Sequence, residues 1–191
     1  MMALILSKNL SATLLVLTSF HSFNRLPPYF YYARAAFKLY MLCGCLLIFD
    51  GVRRSSFSVE AVQTVWLWNY CLGLPLISAE ICVTAGHLSQ FTNVHIILPI
   101  YTVLSYHFAP EYVDAYLLGL SHVFSLSCVT ILSFTTDNVA CIAFAIVYYF
   151  AQFRLSPYGN SDPSYMETWC FVMSVGNLFA LQLLKRFRWR D

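Results

Sequence analysis

The chain has 191 residues, of which 59% are hydrophobic and 10% are charged, and its formal net charge is +2. If this chain folded as a soluble domain, it would have too few polar residues to cover so much apolar surface. The small net charge argues against a nucleic-acid partner. The densest basic run directly follows the last apolar segment, where spanning helices meet anionic lipid headgroups, so it is expected to bind lipid and not nucleic acid. The composition predicts an integral membrane protein.

Apolar segments recur along nearly the whole chain, and most charged residues lie between them. A helix that crosses a bilayer needs about 20 residues, so six or seven such helices use the chain and leave no room for a soluble domain. We therefore predict an all-α fold, a single membrane-embedded helix bundle over residues 1–191 with six or seven spanning helices. The predicted spans are 3–23, 30–49, 59–83, 91–108, 112–134, 138–153 and 165–184.

The first segment has two interpretations. Lys8 interrupts it, and its apolar part, residues 10–23, has the length of a marginal span or of a signal-peptide core. No cleavage site of small residues follows this part, which favours a retained helix over a cleaved signal peptide.

Two later segments carry charged residues inside their apolar runs. Arg34 and Lys38 lie one turn apart near the start of the second segment, so both side chains can extend to the headgroups on the side of Arg25. In the third segment Pro75 predicts a kink, because proline removes a backbone hydrogen bond. Glu80 is expected to face protein, because a carboxylate in contact with lipid is costly.

The distribution of Lys and Arg over the short loops predicts the orientation of the bundle. More basic residues fall on the side of the C-terminus than on the other side. We therefore expect an integral membrane protein of the secretory pathway or plasma membrane with its C-terminus in the cytosol. Only residues 109–111 separate the fourth and fifth segments, so these two helices should be antiparallel neighbours.

The candidate catalytic residues are ionisable or hydroxyl side chains inside apolar segments, and they are His122, Asp114, Ser125 and Glu80. His122 lies deepest within its segment. With Asp114, Ser121 and Ser125 it follows one stripe of a helix, which either holds a catalytic group or serves close helix packing.

No cofactor is predicted, and the alternative is a zinc site formed by His95, His107 and His122. No two of these histidines have the H-x-x-x-H spacing that places both imidazoles on one helix face, so only tertiary packing would bring them together. The seven cysteines lie in or at the ends of apolar segments, where cysteine is usually a packing residue, and no disulfide framework is predicted.

Short motifs in the second half of the chain point to one family. They are Leu98-Pro99-Ile100 with Tyr101, Ser125-Leu126-Ser127, Ala151-Gln152 with Arg154, Gly159, Ser164 and Leu183-Leu184-Lys185. With these motifs the stretch from Leu98 to Lys185 resembles the transmembrane protein 187 family. The resemblance implies a multi-pass architecture in a membrane and assigns no reaction.

Three functions fit the sequence. The first is a multi-pass membrane protein, not an enzyme, that acts through lipid or protein interaction within the membrane, with membrane lipids and a membrane protein as partners. The second is a membrane-embedded lipid hydrolase that uses His, Asp and Ser, with or without zinc. The third is a seven-helix receptor-like protein.

Overall fold

The computed structural model describes residues 2–53, 55–86, 89–109, 115–136, 138–155 and 163–188. Within these ranges the chain forms seven helices and no strand, so the all-α fold class is confirmed there. The helices are Met2–Arg25 (α1), Tyr31–Val52 (α2), Ser56–Thr84 (α3), Ser89–Phe108 (α4), Ala115–Thr136 (α5), Val139–Arg154 (α6) and Pro163–Arg188 (α7).

Helices α3 and α6 each contain a π-helical turn, at Asn69–Gly73 and at Phe150–Arg154. The turn in α3 accommodates Pro75. Proline removes one backbone hydrogen bond and its ring crowds the carbonyl four residues earlier, and here that residue, Cys71, lies within the π turn. The backbone therefore adjusts to Pro75 through a local change of winding one turn earlier.

Contacts near both ends of the pairs α1/α2, α2/α3 and α3/α4 show that these neighbouring helices run antiparallel, and the single contacts and short connections of the later pairs agree with the same order. Lys8 near the start of α1 forms an ion pair with Asp50 near the end of α2, whereas Arg34 near the start of α2 bonds the carbonyl of Phe23 near the end of α1. The contacts for the later pairs are Asp50–Ser58 and Tyr32–Glu80 (α2/α3), Trp68–His107 and Cys82–His95 (α3/α4), His95–Ser125 (α4/α5), His122–Tyr148 (α5/α6) and Asn138–Arg186 (α6/α7).

Helices α1 and α7 pack side by side and run parallel. Ser7 donates to Glu167 near the starts of both helices, and Asn177 donates to Ser19 nearer their ends. Parallel first and last helices are what seven alternating helices produce. We call the end of the bundle where α1, α3, α5 and α7 finish the C-terminal end, and the opposite end the N-terminal end.

Helix α3 lies at the centre of the bundle. It contacts α2, α4, α5 and α7. In the most apolar 18-residue stretch of α3, 78% of the residues are buried, whereas the corresponding share is 39% in α2 and in α5 and 56% in α7. Side chains of α3 are therefore the ones that meet the most partners from other helices.

Four of the described helices are long and apolar enough to cross a bilayer: Tyr31–Val52, Ser56–Thr84, Tyr116–Thr135 and Tyr165–Arg186. Val139–Arg154 is apolar but shorter. Polar residues recur along α1 and α4, which are not among these four helices. Length and composition alone thus identify fewer spans than the six or seven predicted from the sequence.

Candidate functional site

Glu80 joins the centre of the bundle to the start of α2. Its Oε2 atom accepts hydrogen bonds from the backbone N–H groups of Tyr32 at 2.7 Å and Ala33 at 3.1 Å. The first N–H groups of a helix have no partner within it, and the positive end of the helix dipole favours an anion there. Glu80 faces the bundle, at 3% exposure, and caps α2.

Two other charged side chains also hold helices together. The guanidinium of Arg34 donates to the carbonyl of Phe23 at 3.0 Å and lies 3.9 Å from the centre of its ring, so Arg34 caps the end of α1. At the N-terminal end, Asp50 accepts from Lys8 and from the hydroxyl of Ser58, both at 2.8 Å. These residues therefore serve packing between α1, α2 and α3.

A different set of polar side chains lies between α3, α4, α5 and α6. His95 of α4 is placed between Cys82 of α3 and Ser125 of α5. Its Nε2 atom is 3.5 Å from the Cys82 sulfur, and its Nδ1 atom is 2.8 Å from the Ser125 hydroxyl. Both ring nitrogens of His95 are thus engaged by neighbouring helices.

His122 of α5 makes the next contact. Its Nδ1 atom is 3.0 Å from the hydroxyl of Tyr148 in α6, and its ring centre is 5.1 Å from that of Tyr70 in α3. The Tyr70 hydroxyl in turn donates to the carbonyl of Gln152 at 3.2 Å. The π turn at the end of α6 thus lies beside the same tyrosine as His122.

Ser125 and His122 lie one turn apart on α5, where Ser125 contacts His95 of α4 and His122 contacts Tyr148 of α6. We call Cys82, His95, Ser125, Tyr148 and His122 the polar chain. Each of its members is at most 2% exposed. The polar chain starts near the C-terminal end of the bundle and reaches its middle.

Several buried polar atoms of α5 and α6 have no hydrogen-bond partner among the described residues. They are Nε2 of His122, the hydroxyl of Ser121 and both side-chain polar atoms of Gln152. An unsatisfied buried polar group costs about 1–3 kcal/mol, and lipid supplies no hydrogen bonds in compensation. These atoms are therefore candidates for contact with a guest molecule.

The structure unites some of the predicted site residues and separates others. His95, Ser125 and His122 belong to the polar chain, and Ser121 next to His122 in sequence is also buried. His107 is exposed and accepts a hydrogen bond from the Trp68 indole at 2.8 Å. It follows His95 by more than three turns of α4, about 18 Å along the axis, so one metal ion cannot bind both side chains. Asp114 lies outside the described residues.

Sequence reasoning did not find Tyr148, Gln152, Cys82 or Cys128 as site residues. The only signal for Gln152 was an amide near the end of an apolar segment, and buried cysteines usually serve packing. Tertiary packing places the sulfurs of Cys82 and Cys128 and a ring nitrogen of His95 within 4.8 Å of one another. The sequence spacing of these three residues gave no indication of this cluster.

Comparison of the chain with protein-family models, with curated proteins and with solved structures found no match. The resemblance to the transmembrane protein 187 family therefore stays a prediction. Function is inferred below from the geometry of the chain itself.

Proposed function

We propose that this chain is a seven-helix integral membrane protein of the secretory pathway or plasma membrane that acts by binding within the bilayer. Its guest is a neutral lipid that carries a hydroxyl group, held beside His122 and Gln152. The observation that carries the proposal is the unpartnered amide of Gln152, which is buried in the π turn of α6. The Gln152 carbonyl accepts from Tyr70, whose ring packs against that of His122.

Seven spans are supported by the alternation of the helices. Helix α4 has 20 residues, which is about 30 Å and the thickness of a bilayer core. It lies antiparallel to α3 and α5, which both have the length and hydropathy of spans. The outward faces of α1, α4 and α6 are also apolar, with exposed Leu17, Phe20, Ile97, Leu104 and Ile146.

The basic residues support a cytosolic C-terminal end. The side chains of Arg25, Arg34, Lys38, Lys185 and Arg186 belong to that end. At the N-terminal end, Lys8 is paired with Asp50, which leaves fewer basic side chains for headgroups there. Cytosolic flanks of spanning helices carry the excess of Lys and Arg.

The chemistry of the guest follows from the side chains that face it. The amide of Gln152 offers a donor and an acceptor, and Nε2 of His122 offers one or the other according to its tautomer. Glu80, the buried carboxylate of α3, is already engaged by the start of α2, so it is not available to bind a cationic guest. A neutral hydroxyl group, which both donates and accepts, satisfies this set without bringing a charge into the bilayer.

Photolabelling of the purified protein tests this proposal. We expect a photoactivatable long-chain alcohol to label the protein saturably, and the unlabelled alcohol, but not the alkane of equal length, to compete. His122→Phe and Gln152→Leu should each reduce labelling at least several-fold, because a buried polar contact is worth about 1–3 kcal/mol. Gln63→Leu, at an exposed glutamine of α3, is the control. Equal competition by alcohol and alkane would refute the proposal.

The membrane-embedded lipid hydrolase is the second candidate, and one contact favours it. The hydroxyl of Ser125 lies 2.8 Å from Nδ1 of His95, within the reach that a nucleophile and its general base need. The other nitrogen of His95 faces a thiol and not a carboxylate. Labelling by a fluorophosphonate probe that is lost in Ser125→Ala but kept in Ser127→Ala would establish this candidate in place of the first. The receptor-like alternative stays a prediction.

A further inference from the structure

We propose that Cys82, His95 and Cys128 bind a zinc ion near the C-terminal end of the bundle. The three residues come from three helices, α3, α4 and α5, and their ligand atoms lie within 4.8 Å of one another. This site is separate from the guest site at His122 and Gln152, and it does not depend on the proposed function.

The distance between Cys82 and His95 agrees with a tetrahedral ion. Zinc lies about 2.3 Å from a cysteine sulfur and about 2.0–2.1 Å from a histidine nitrogen, so at a tetrahedral angle these two ligand atoms are about 3.5 Å apart. The sulfur of Cys82 and Nε2 of His95 lie at 3.5 Å. This edge of the coordination tetrahedron is therefore already formed.

The second nitrogen of His95 has the contact that metal-binding histidines require. Such histidines usually engage their other ring nitrogen with a polar neighbour, which fixes the orientation of the ring. Here Nδ1 of His95 lies 2.8 Å from the hydroxyl of Ser125, and the ring packs against Phe124 with the centres 4.9 Å apart. Nε2 is thus directed at the sulfur of Cys82.

Charge balance selects zinc among the metals that prefer sulfur ligands. Binding replaces the two thiol protons, which leave to solvent, and two thiolates with Zn²⁺ give a site of zero net charge. Cu⁺ with two thiolates would leave a net negative charge in the interior, which is costly to bury. Cys82 and His95 are nearly fully buried, at 2% and 1% exposure, so the cost of a buried net charge favours zinc over Cu⁺ at this site.

Three protein ligands leave one position of the ion open. Zinc sites with two cysteines and one histidine that keep a fourth position for water or substrate are catalytic, whereas structural sites are closed by four protein ligands. A zinc ion here would therefore be able to accept an exogenous ligand.

Metal analysis of the purified 191-residue chain in detergent tests the zinc site. We expect stoichiometric zinc in the unaltered protein after incubation with zinc and removal of the excess, and loss of most of this zinc in Cys82→Ser, His95→Gln and Cys128→Ser. Cys141→Ser changes a cysteine of α6 that is as deeply buried as Cys82, and it should retain the metal.

A second measurement does not depend on the folding of the variants. Cobalt added to the unaltered protein should give thiolate-to-cobalt charge-transfer absorption that zinc abolishes, and zinc should protect Cys82 and Cys128, but not Cys45, from alkylation. Absence of metal, copper in place of zinc, or zinc retained by both cysteine variants would overturn the proposal. Loss of zinc with unchanged photolabelling by the alcohol would leave the guest site standing.

Discussion

Glu80 shows how a single side chain can fix the position of two helices. It belongs to α3, yet both of its hydrogen bonds go to the first turn of α2. The position of a carboxylate in an apolar segment predicts that it faces protein, but the backbone partners become visible only when α2 and α3 are packed together. Sequence reasoning could thus identify the residue and could not assign its role.

Replacement of Glu80 should destabilise the fold. We expect Glu80→Ala to lower the free energy of unfolding by about 1–3 kcal/mol, because two N–H groups lose a charged acceptor. Glu80→Gln keeps an acceptor oxygen and should cost less. Glu60→Gln, at an exposed position of α3, is the control. The midpoint of thermal unfolding in detergent should be lowest for Glu80→Ala, higher for Glu80→Gln and highest for Glu60→Gln. Equal midpoints for Glu80→Ala and Glu60→Gln would contradict the capping role of Glu80.

Two helical glycines should respond oppositely to alanine. A Cβ atom at Gly73 would overlap the hydroxyl and ring of Tyr40, which is fully buried, whereas a Cβ at Gly119 meets nothing within 4 Å. We expect Gly73→Ala to cost about 1–3 kcal/mol by overpacking. Gly119→Ala should be neutral or stabilising by about 0.5–1 kcal/mol, because alanine favours the helix. The free energies of unfolding of the two variants in detergent test this expectation. A stabilising Gly73→Ala would show that α2 and α3 pack less closely than the contact between Gly73 and Tyr40 indicates.

At the scale of elements, hydrophobic runs predicted where helices occur, and they did not predict their winding. The π turn at Asn69–Gly73 has Pro75 after it as its only sequence signal. Asn69 donates from its side chain to the carbonyls of Val65 in α3 and Leu39 in α2. The second of these contacts depends on tertiary packing, so the irregular winding could not be inferred from α3 alone.

The ion pair at the N-terminal end should couple α1 to α2. Lys8→Met removes the cation 2.8 Å from Asp50, whose side chain is only 9% exposed, and should be more destabilising than Arg53→Met at an exposed position. Adding Asp50→Asn removes the carboxylate charge that Lys8 balances. The double variant should therefore be more stable than the sum of the single changes predicts, by about 0.5–3 kcal/mol. Additive losses in a denaturation series would show that the pair contributes no coupling.

For the whole molecule, the sequence indicated a helix bundle but not the interior that it encloses. Ser125 and His122 were identifiable because they share a helix stripe. Cys82, His95 and Tyr148 come from three other helices, and their meeting depends on the antiparallel order and on the central place of α3. Local spacing contains no information on such contacts between distant residues.

The side of the membrane reached by each connection tests the central claim most directly, which is that seven helices cross the bilayer in alternation. Single cysteines in a cysteine-free background, or glycan acceptor sites, can be introduced at each connection and at the C-terminus. We predict that the connections α2/α3, α4/α5 and α6/α7 are labelled from the lumen or cell exterior, and that α1/α2, α3/α4, α5/α6 and the C-terminus are labelled from the cytosol. Labelling of both ends of α4, or of both ends of α6, from the same side would contradict the account.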